Sequence, residues 1–120
     1  MRILITGGAG FMGSNAIRYF LKKYSDIEII NLDKLTYAGN LDNLKDIEDN
    51  PRYKFVKGDI INQTLVNDIV KDIDIIINYA AETHVDRSII SSKEFILTDV
   101  LGTHALLEAA KEYNIKKYIQ

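Results

Sequence analysis

Apolar residues along this chain alternate between two rhythms: short β-rich runs, and longer stretches with apolar positions every three or four residues. The first run, Ile3–Thr6, ends at Gly7-Gly8. Phe11, Ile17, Phe20, Leu21 and Tyr24 then recur at helical spacing, and Lys22 and Lys23 fall where cations favour a helix C-terminus. Met12, Phe20 and Tyr24 read as ordinary core of that helix. Glu28–Asp33 and Tyr53–Lys57 predict a second and a third strand. Between them, Leu35–Asn50 is expected to hold a short helix around Leu41–Ile47, and the only proline, Pro51, sits in a polar turn, Asp49–Arg52. Ile73–Tyr79 predicts a fourth strand, whose isoleucines suit burial on both faces. Ile96, Val100, Leu107 and Ala110 share one helical stripe, so Lys93–Tyr113 reads as one long amphipathic helix. Lys117–Gln120 opens a fifth strand.

Strands that alternate with helices imply parallel pairing and a sheet covered on both faces. Right-handed crossovers then give an α/β, Rossmann-type parallel sheet, with strand order 3-2-1-4 and strand 5 beside strand 4, truncated after the start of strand 5. The 120 residues suffice for one domain, 1–120, and not for two ordinary ones. Hydrophobic residues at 47% and charged residues at 27% are a globular balance. The net charge of −2 comes without a basic block, which argues against a nucleic-acid partner. Cysteine is absent, so no disulfide and no thiolate metal site is expected, in keeping with a cytoplasmic location. No apolar run approaches membrane length, and the opening run is too short for a signal-peptide core.

The sharpest feature is Thr6-Gly7-Gly8-Ala9-Gly10-Phe11-Met12-Gly13, between the first strand and the first helix. A tight turn needs φ freedom at Gly7, a pyrophosphate needs close backbone approach near Gly10, and helix–strand packing needs a small residue at Gly13. The helix N-terminus adds free N–H groups and partial positive charge. Gly-x-x-Gly-x-x-Gly spacing resembles that of the short-chain dehydrogenase/reductase superfamily. No Gly-Lys-Ser/Thr follows, so the loop is not a P-loop.

Asp33 ends the second strand, where a carboxylate accepts hydrogen bonds from the adenosine ribose and repels a 2′-phosphate. It therefore points to NAD rather than NADP. Lys34 could weaken that discrimination, but its charge is expected to be solvated. Asp59 and Ile60 follow the third strand, either as a plain turn with a buried Ile60 or as a polar and an apolar side chain suited to the amino group and ring face of adenine. The small residues Ala80 and Ala81 end the fourth strand, where ribose and nicotinamide could pack against backbone.

Two long strings carry a more specific resemblance. Ala80-Ala81-Glu82-Thr83-His84-Val85-Asp86-Arg87-Ser88-Ile89 and Leu32-Asp33-Lys34-Leu35-Thr36-Tyr37-Ala38-Gly39-Asn40-Leu41 resemble the corresponding segments of dTDP-glucose 4,6-dehydratases, extended short-chain dehydrogenase/reductases. The glycine loop, Gly58-Asp59-Ile60 and Gly102-Thr103 agree, and the likeness runs over all 120 residues. The resemblance implies a tightly held NAD that is reduced and reoxidised within one cycle. Glucose C4 is oxidised, water is eliminated across C5 and C6, and the hydride returns to C6. It further implies Phe11 and Met12 at the pyrophosphate, Asp33, Lys34, Leu35 and Thr36 on the adenosine side, and Asp59 and Ile60 at adenine. Ala80 and Ala81 would line the nicotinamide side and Thr98 would help hold the cofactor. Thr83 would bond the glucosyl part of a dTDP-sugar substrate; its other reading is a helix N-cap. Among the neighbours, His84 is expected to be a packed or solvated loop histidine, Asp86 and Arg87 a local ion pair, and Glu82 a solvated loop residue.

One departure stands out. Such dehydratases carry Thr-Asn in the long helix, and this chain has Thr98-Asp99. An ionised Asp offers only acceptors, so Asp99 needs a donor partner or a proton. Two alternatives accompany the leading reading: another NAD-dependent nucleotide-sugar epimerase or decarboxylase, and a binding-only nucleotide module. The strings around Tyr37 and His84 favour the dehydratase. A homodimer is a further expectation.

The catalytic Thr-Asp-Glu and Tyr-x-x-x-Lys that the resemblance implies do not occur at the corresponding places. Tyr113 and Lys117 have the tyrosine–lysine spacing but sit before strand 5, at the end of the wrong helix. A fourth strand flanked by a mere stub of strand 5 also predicts weak stability or self-association. The 120-residue chain alone is thus expected to form no keto sugar from dTDP-glucose and NAD. Turnover above background in a product assay would overturn that expectation.

Overall fold

The structure, a computed structural model, describes residues 1–83, 89 and 92–120. Five parallel strands form one sheet: β1 (Arg2–Thr6), β2 (Glu28–Asp33), β3 (Tyr53–Lys57), β4 (Ile75–Asn78) and β5 (Lys117–Ile119). Their order is β3-β2-β1-β4-β5, as the alternation of elements predicts. The helical elements are α1 (Phe11–Lys23), a 3-10 helix (Leu41–Ile47), α2 (Gln63–Val70), α3 (Lys93–Phe95), a π-helical segment (Ile96–Gly102) and α4 (Thr103–Glu112).

The period of two in the strands divides the apolar residues between two cores. Ile3 and Ile5 of β1, Ile29 of β2 and Ile77 of β4 pack with Ile17 and Leu21 of α1 and with Leu44 of the 3-10 helix. Leu4, Leu32 and Ile76 face the other way, onto Val66 and Val70 of α2 and Leu106 and Ala109 of α4. Each fully buried Leu or Ile contributes roughly 1.5–3 kcal/mol, which makes the sheet interior the main source of stability. In register, Ile5 pairs Asn31, Thr6 pairs Leu32, and Thr6 pairs Asn78. The carboxyl ends of β1, β2 and β4 therefore lie level. The chain runs from β1 to β2 and β3 on one side, then returns to β4 on the other, so β1 and β4 flank the switch point where α/β sheets open a crevice.

Four details depart from expectation. β4 is shorter than Ile73–Tyr79, because the Ile73 N–H bonds Val70 O at 3.0 Å and closes the end of α2. Helix α2 is not marked by the apolar pattern of the sequence. It is short, but Asn62 caps it by accepting the Leu65 N–H at 3.1 Å, and Leu65, Val66, Ile69 and Val70 carry its apolar side. Met12 is not core: it is 65% exposed, and Tyr24 too is exposed at the end of α1.

The fourth correction concerns the long helix. Of the stripe Ile96, Val100, Leu107 and Ala110, the first three are 52%, 58% and 45% exposed and Ala110 is partly buried against the core, whereas Gly102, Ala105, Leu106 and Ala109 are buried. Ile96 and Val100, before Gly102, and Leu107, after it, all turn outward, so the apolar stripe lies on the exposed side and the small residues face the sheet. Close approach also selects the small face: a Cβ on Gly102 would lie 2.4 Å from Ile60 Cδ1. Among the described residues no helix is long and apolar enough to cross a membrane. With Leu106 fully buried, Leu106→Ala is expected to lower unfolding free energy by about 2–5 kcal/mol in denaturant titration. A loss below about 1 kcal/mol would contradict the packing of α4 on the sheet.

Candidate functional site

The turn from β1 to α1 approaches the sheet more closely than any side chain would permit. Gly7 has φ +66°, and a Cβ there would lie 2.6 Å from the Ala80 nitrogen. A Cβ on Gly13 would lie 2.4 Å from the Gly7 carbonyl oxygen, and neither contact could be relieved by a side-chain rotation. At Gly10 a Cβ would meet only Gly7 O at 3.4 Å and Ala38 O at 3.9 Å, so this glycine keeps the space above the turn open. Gly10 caps α1 without a side-chain bond, and the first-turn N–H groups have no intrahelical acceptor. The arrangement suits an anion held by backbone at the helix N-terminus.

The turn is held from below by β2. Asn31 Oδ1 accepts the Gly8 N–H at 3.0 Å, and Asp33 Oδ2 accepts the Ala9 N–H at 2.8 Å. Asp33 Oδ1 accepts the Leu35 N–H at 2.8 Å, which fixes the turn in which Leu35 adopts φ +58°. On the β4 side, the Thr6 hydroxyl donates to Asn78 Oδ1, and that same oxygen accepts the Ala80 N–H at 3.2 Å.

These elements enclose a cavity of about 320 Å³ at the carboxyl ends of the strands. Gly7, Gly10, Phe11, Met12 and Gly13 form one wall. Asp33, Lys34 and Thr36 form a second, Asp59 and Ile60 a third, and Ala80, Ala81, Thr83 and Thr98 the far end. Leu35 does not line it; its side chain packs against the core beneath α1. Met12 is exposed because it belongs to the cavity wall and not to the helix core.

Two side chains differ from their expected state. The Lys34 ammonium is not simply solvated: it pairs with Asp59 Oδ2 at 2.7 Å, and that bond raises its pKa. Asp59 also accepts the Ile61 N–H at 3.2 Å, so the carboxylate is fixed from two sides. Glu82 is likewise held. Its Oε2 accepts the Tyr37 hydroxyl at 2.9 Å and its N–H donates to Asp99 Oδ1 at 2.8 Å. The Thr83 N–H reaches Tyr37 Oη at 3.3 Å. This network joins the loop after β2 to the loop after β4 across the cavity, and it supplies the donor that Asp99 needs. His84, Asp86 and Arg87 lie outside the described residues.

Asn31, Tyr37, Glu82 and Asp99 carry this geometry without having been assigned a site role from sequence. Asn31 did leave a signal: a lone amide inside an otherwise apolar, doubly covered strand.

A sequence profile described as GDP-mannose 4,6 dehydratase matches residues 4–120. The chain belongs to this family. It is 51% identical to the low-salt glycan biosynthesis protein Agl12 of Haloferax volcanii, over 100% of this chain and 38% of that protein. It is 49% identical to the dTDP-glucose 4,6-dehydratase of Escherichia coli, over 94% of this chain and 32% of that enzyme. Among solved structures it superposes on DesIV, the dTDP-glucose 4,6-dehydratase of Streptomyces venezuelae crystallised with NAD and TYD. The TM-score is 0.93 and the identity 43%, over 98% of this chain and 38% of that one. The chain thus spans about a third of the length of these dehydratase-family relatives.

The Glu82–Asp99 bond makes a direct prediction for the position that departs from Thr-Asn. Asp99→Asn keeps an acceptor for the Glu82 N–H and should change stability by less than about 0.5 kcal/mol. Asp99→Leu removes it and should speed amide hydrogen exchange at Glu82 by about tenfold, for loss of a bond worth ~1.5 kcal/mol. Unchanged exchange at Glu82 in the Leu variant would refute the contact.

Proposed function

We propose that this chain is the NAD-holding portion of a dTDP-glucose 4,6-dehydratase. The observation that carries the reading is the Asp33 carboxylate in the cavity wall, bonded to the Ala9 N–H of a turn in which Gly7 and Gly13 leave no room for a Cβ. Identity of 43–48% to solved dTDP-glucose 4,6-dehydratases supports it over a UDP-glucose 4-epimerase, where solved examples are 26–28% identical.

The residues present fit a dinucleotide. The open space above Gly10 and the free N–H groups of the first turn of α1 suit a pyrophosphate. Asp33 keeps unused lone pairs on both oxygens for ribose hydroxyls, since each accepts only one backbone N–H. Asp59 and the buried Ile60 would take the amino group and face of adenine, with Lys34 and Thr36 beside them. Ala80 and Ala81 would leave room for the nicotinamide, Thr98 would support the cofactor, and Thr83 would bond the glucosyl group of a dTDP-sugar. Bound NAD would supply the hydride acceptor, and later donor, for chemistry at the sugar ring. The Thr-Asp-Glu and Tyr-x-x-x-Lys that the resemblance implies for that chemistry do not occur at the corresponding places in this sequence. We place the protein in the cytoplasm and read it as a homodimer; the outward apolar row Ile96, Val100, Leu101 and Leu107 supports self-association.

The test is calorimetric titration of the full-length protein with NAD+ and NADP+, with a product assay on dTDP-glucose. NAD+ should bind at least about tenfold more tightly than NADP+, a difference of ~1.4 kcal/mol, and Asp33→Ala should shrink that ratio. dTDP-glucose should yield the 4-keto-6-deoxy sugar. Equal affinity for the two dinucleotides, or no keto product, would refute the respective part of the reading.

A further inference from the structure

Asn31 is fully buried in the middle of β2 and does not line the cavity, so it can touch no ligand. A buried amide in a strand covered on both faces is costly unless every polar atom is paired. Here each end has a partner. Oδ1 accepts the Gly8 N–H at 3.0 Å, and Nδ2 bonds the Tyr53 hydroxyl oxygen at 3.0 Å. A backbone N–H can be met only by the carbonyl end of the amide, so the Gly8 contact fixes the orientation, and the Tyr53 contact holds it. The fit is tight: a Cβ on Gly8 would lie 2.2 Å from Asn31 Oδ1.

The consequence concerns which N–H groups of the turn remain available. Asn31 and Asp33 alternate with Leu32 along β2, so both project to the face beneath the turn. Between them they take the N–H groups of Gly8 and Ala9. The Ala9 carbonyl is fixed in turn by the Asn40 N–H at 3.1 Å and Asn43 Nδ2 at 3.0 Å. The turn is thereby anchored to the sheet on its Gly8–Ala9 side, and the first-turn N–H groups of α1 are the ones left for an outside anion.

We infer that Asn31 is a positioning residue of the dinucleotide site: by holding the Gly8 N–H it sets the height and tilt of the glycine turn and so governs affinity for the diphosphate group. The inference rests on the reading of the cavity as a dinucleotide site, and the experiment separates the two.

The test is binding of NAD+, ADP and adenosine to the full-length protein and to Asn31→Leu, a variant of similar shape without the amide. Loss of one such bond to a phosphate-binding turn should weaken NAD+ and ADP about tenfold, while adenosine, which has no phosphate, changes less than about twofold. Asn31→Asp keeps an acceptor for Gly8 in either protonation state and should recover most of the loss. A merely structural role would weaken all three ligands alike; that result, or no change in any, overturns the assignment. Should Asn31→Leu not fold, Tyr53→Phe removes only the hydroxyl that orients the amide. It should show the same diphosphate-selective loss at about threefold, and an absent or unselective loss there overturns the assignment equally. A wild-type protein that binds none of the three ligands would sink the dinucleotide reading itself.

Discussion

The site depends on one steric constraint, the close approach of the β1–α1 turn to the neighbouring strands. Gly7 lies against the backbone at Tyr79–Ala80, and Gly13 lies against Gly7 and Gly8. Backbone that approaches backbone leaves no room for substituents and no flexible atom to move aside. The approach brings the start of α1 to the carboxyl ends of β1, β2 and β4 at once, and it does so at the switch point of the sheet. The cavity is what remains between these elements: Asp33 and Ala80 arrive at strand ends that lie level, and Phe11, Met12 and Thr98 come from the helical elements beside them.

Closeness alone does not fix the turn. Its position is set by polar atoms on β2, where an apolar strand would leave two turn N–H groups buried without acceptors. Each such orphan costs roughly 1–3 kcal/mol, so the Asn31 and Asp33 side chains are worth their own desolvation. The far side uses the same device, with Asn78 tied to Thr6 and to the Ala80 N–H. Tyr37, Glu82 and Asp99 extend it across the opening. The site is a set of loops, each held by a buried or half-buried polar side chain on the element beside it.

How much of this the sequence discloses follows from the range of the signals involved. β2 and β3 are bounded as expected, because each apolar run is flanked by turn residues. The strand order follows from alternation and handedness alone. The glycine turn is legible because three glycines at that spacing, between a strand and a helix, serve few purposes besides close backbone approach. Less legible is whatever depends on phase or on distant partners. The stripe through Ile96, Val100 and Leu107 holds together but faces outward: periodicity does not say which side the sheet takes, and here it takes Gly102, Ala105, Leu106 and Ala109. Helix α2 is two turns long, too short for its periodicity to stand out against the β-branched runs beside it. Glu82 and Lys34 look solvated in sequence because their partners, Tyr37 and Asp59, are remote in the chain. Asn31 is visible as an anomaly, but its meaning requires knowing that Gly8 lies above it.

The Lys34–Asp59 pair bears on how firmly the site separates the two nicotinamide dinucleotides. Left free beside Asp33, a lysine could attract a 2′-phosphate. Two charges at ~5 Å and an effective dielectric of ~20 interact by about 3 kcal/mol, so Asp33 alone opposes each unit of phosphate charge by that order. Lys34 could offset the term only by leaving Asp59. A partly exposed pair of this kind is worth about 0.2–1 kcal/mol, so the pair itself is a weak restraint. If the cavity holds NAD as proposed, discrimination against a 2′-phosphate would therefore rest chiefly on Asp33, with Lys34 paired to Asp59.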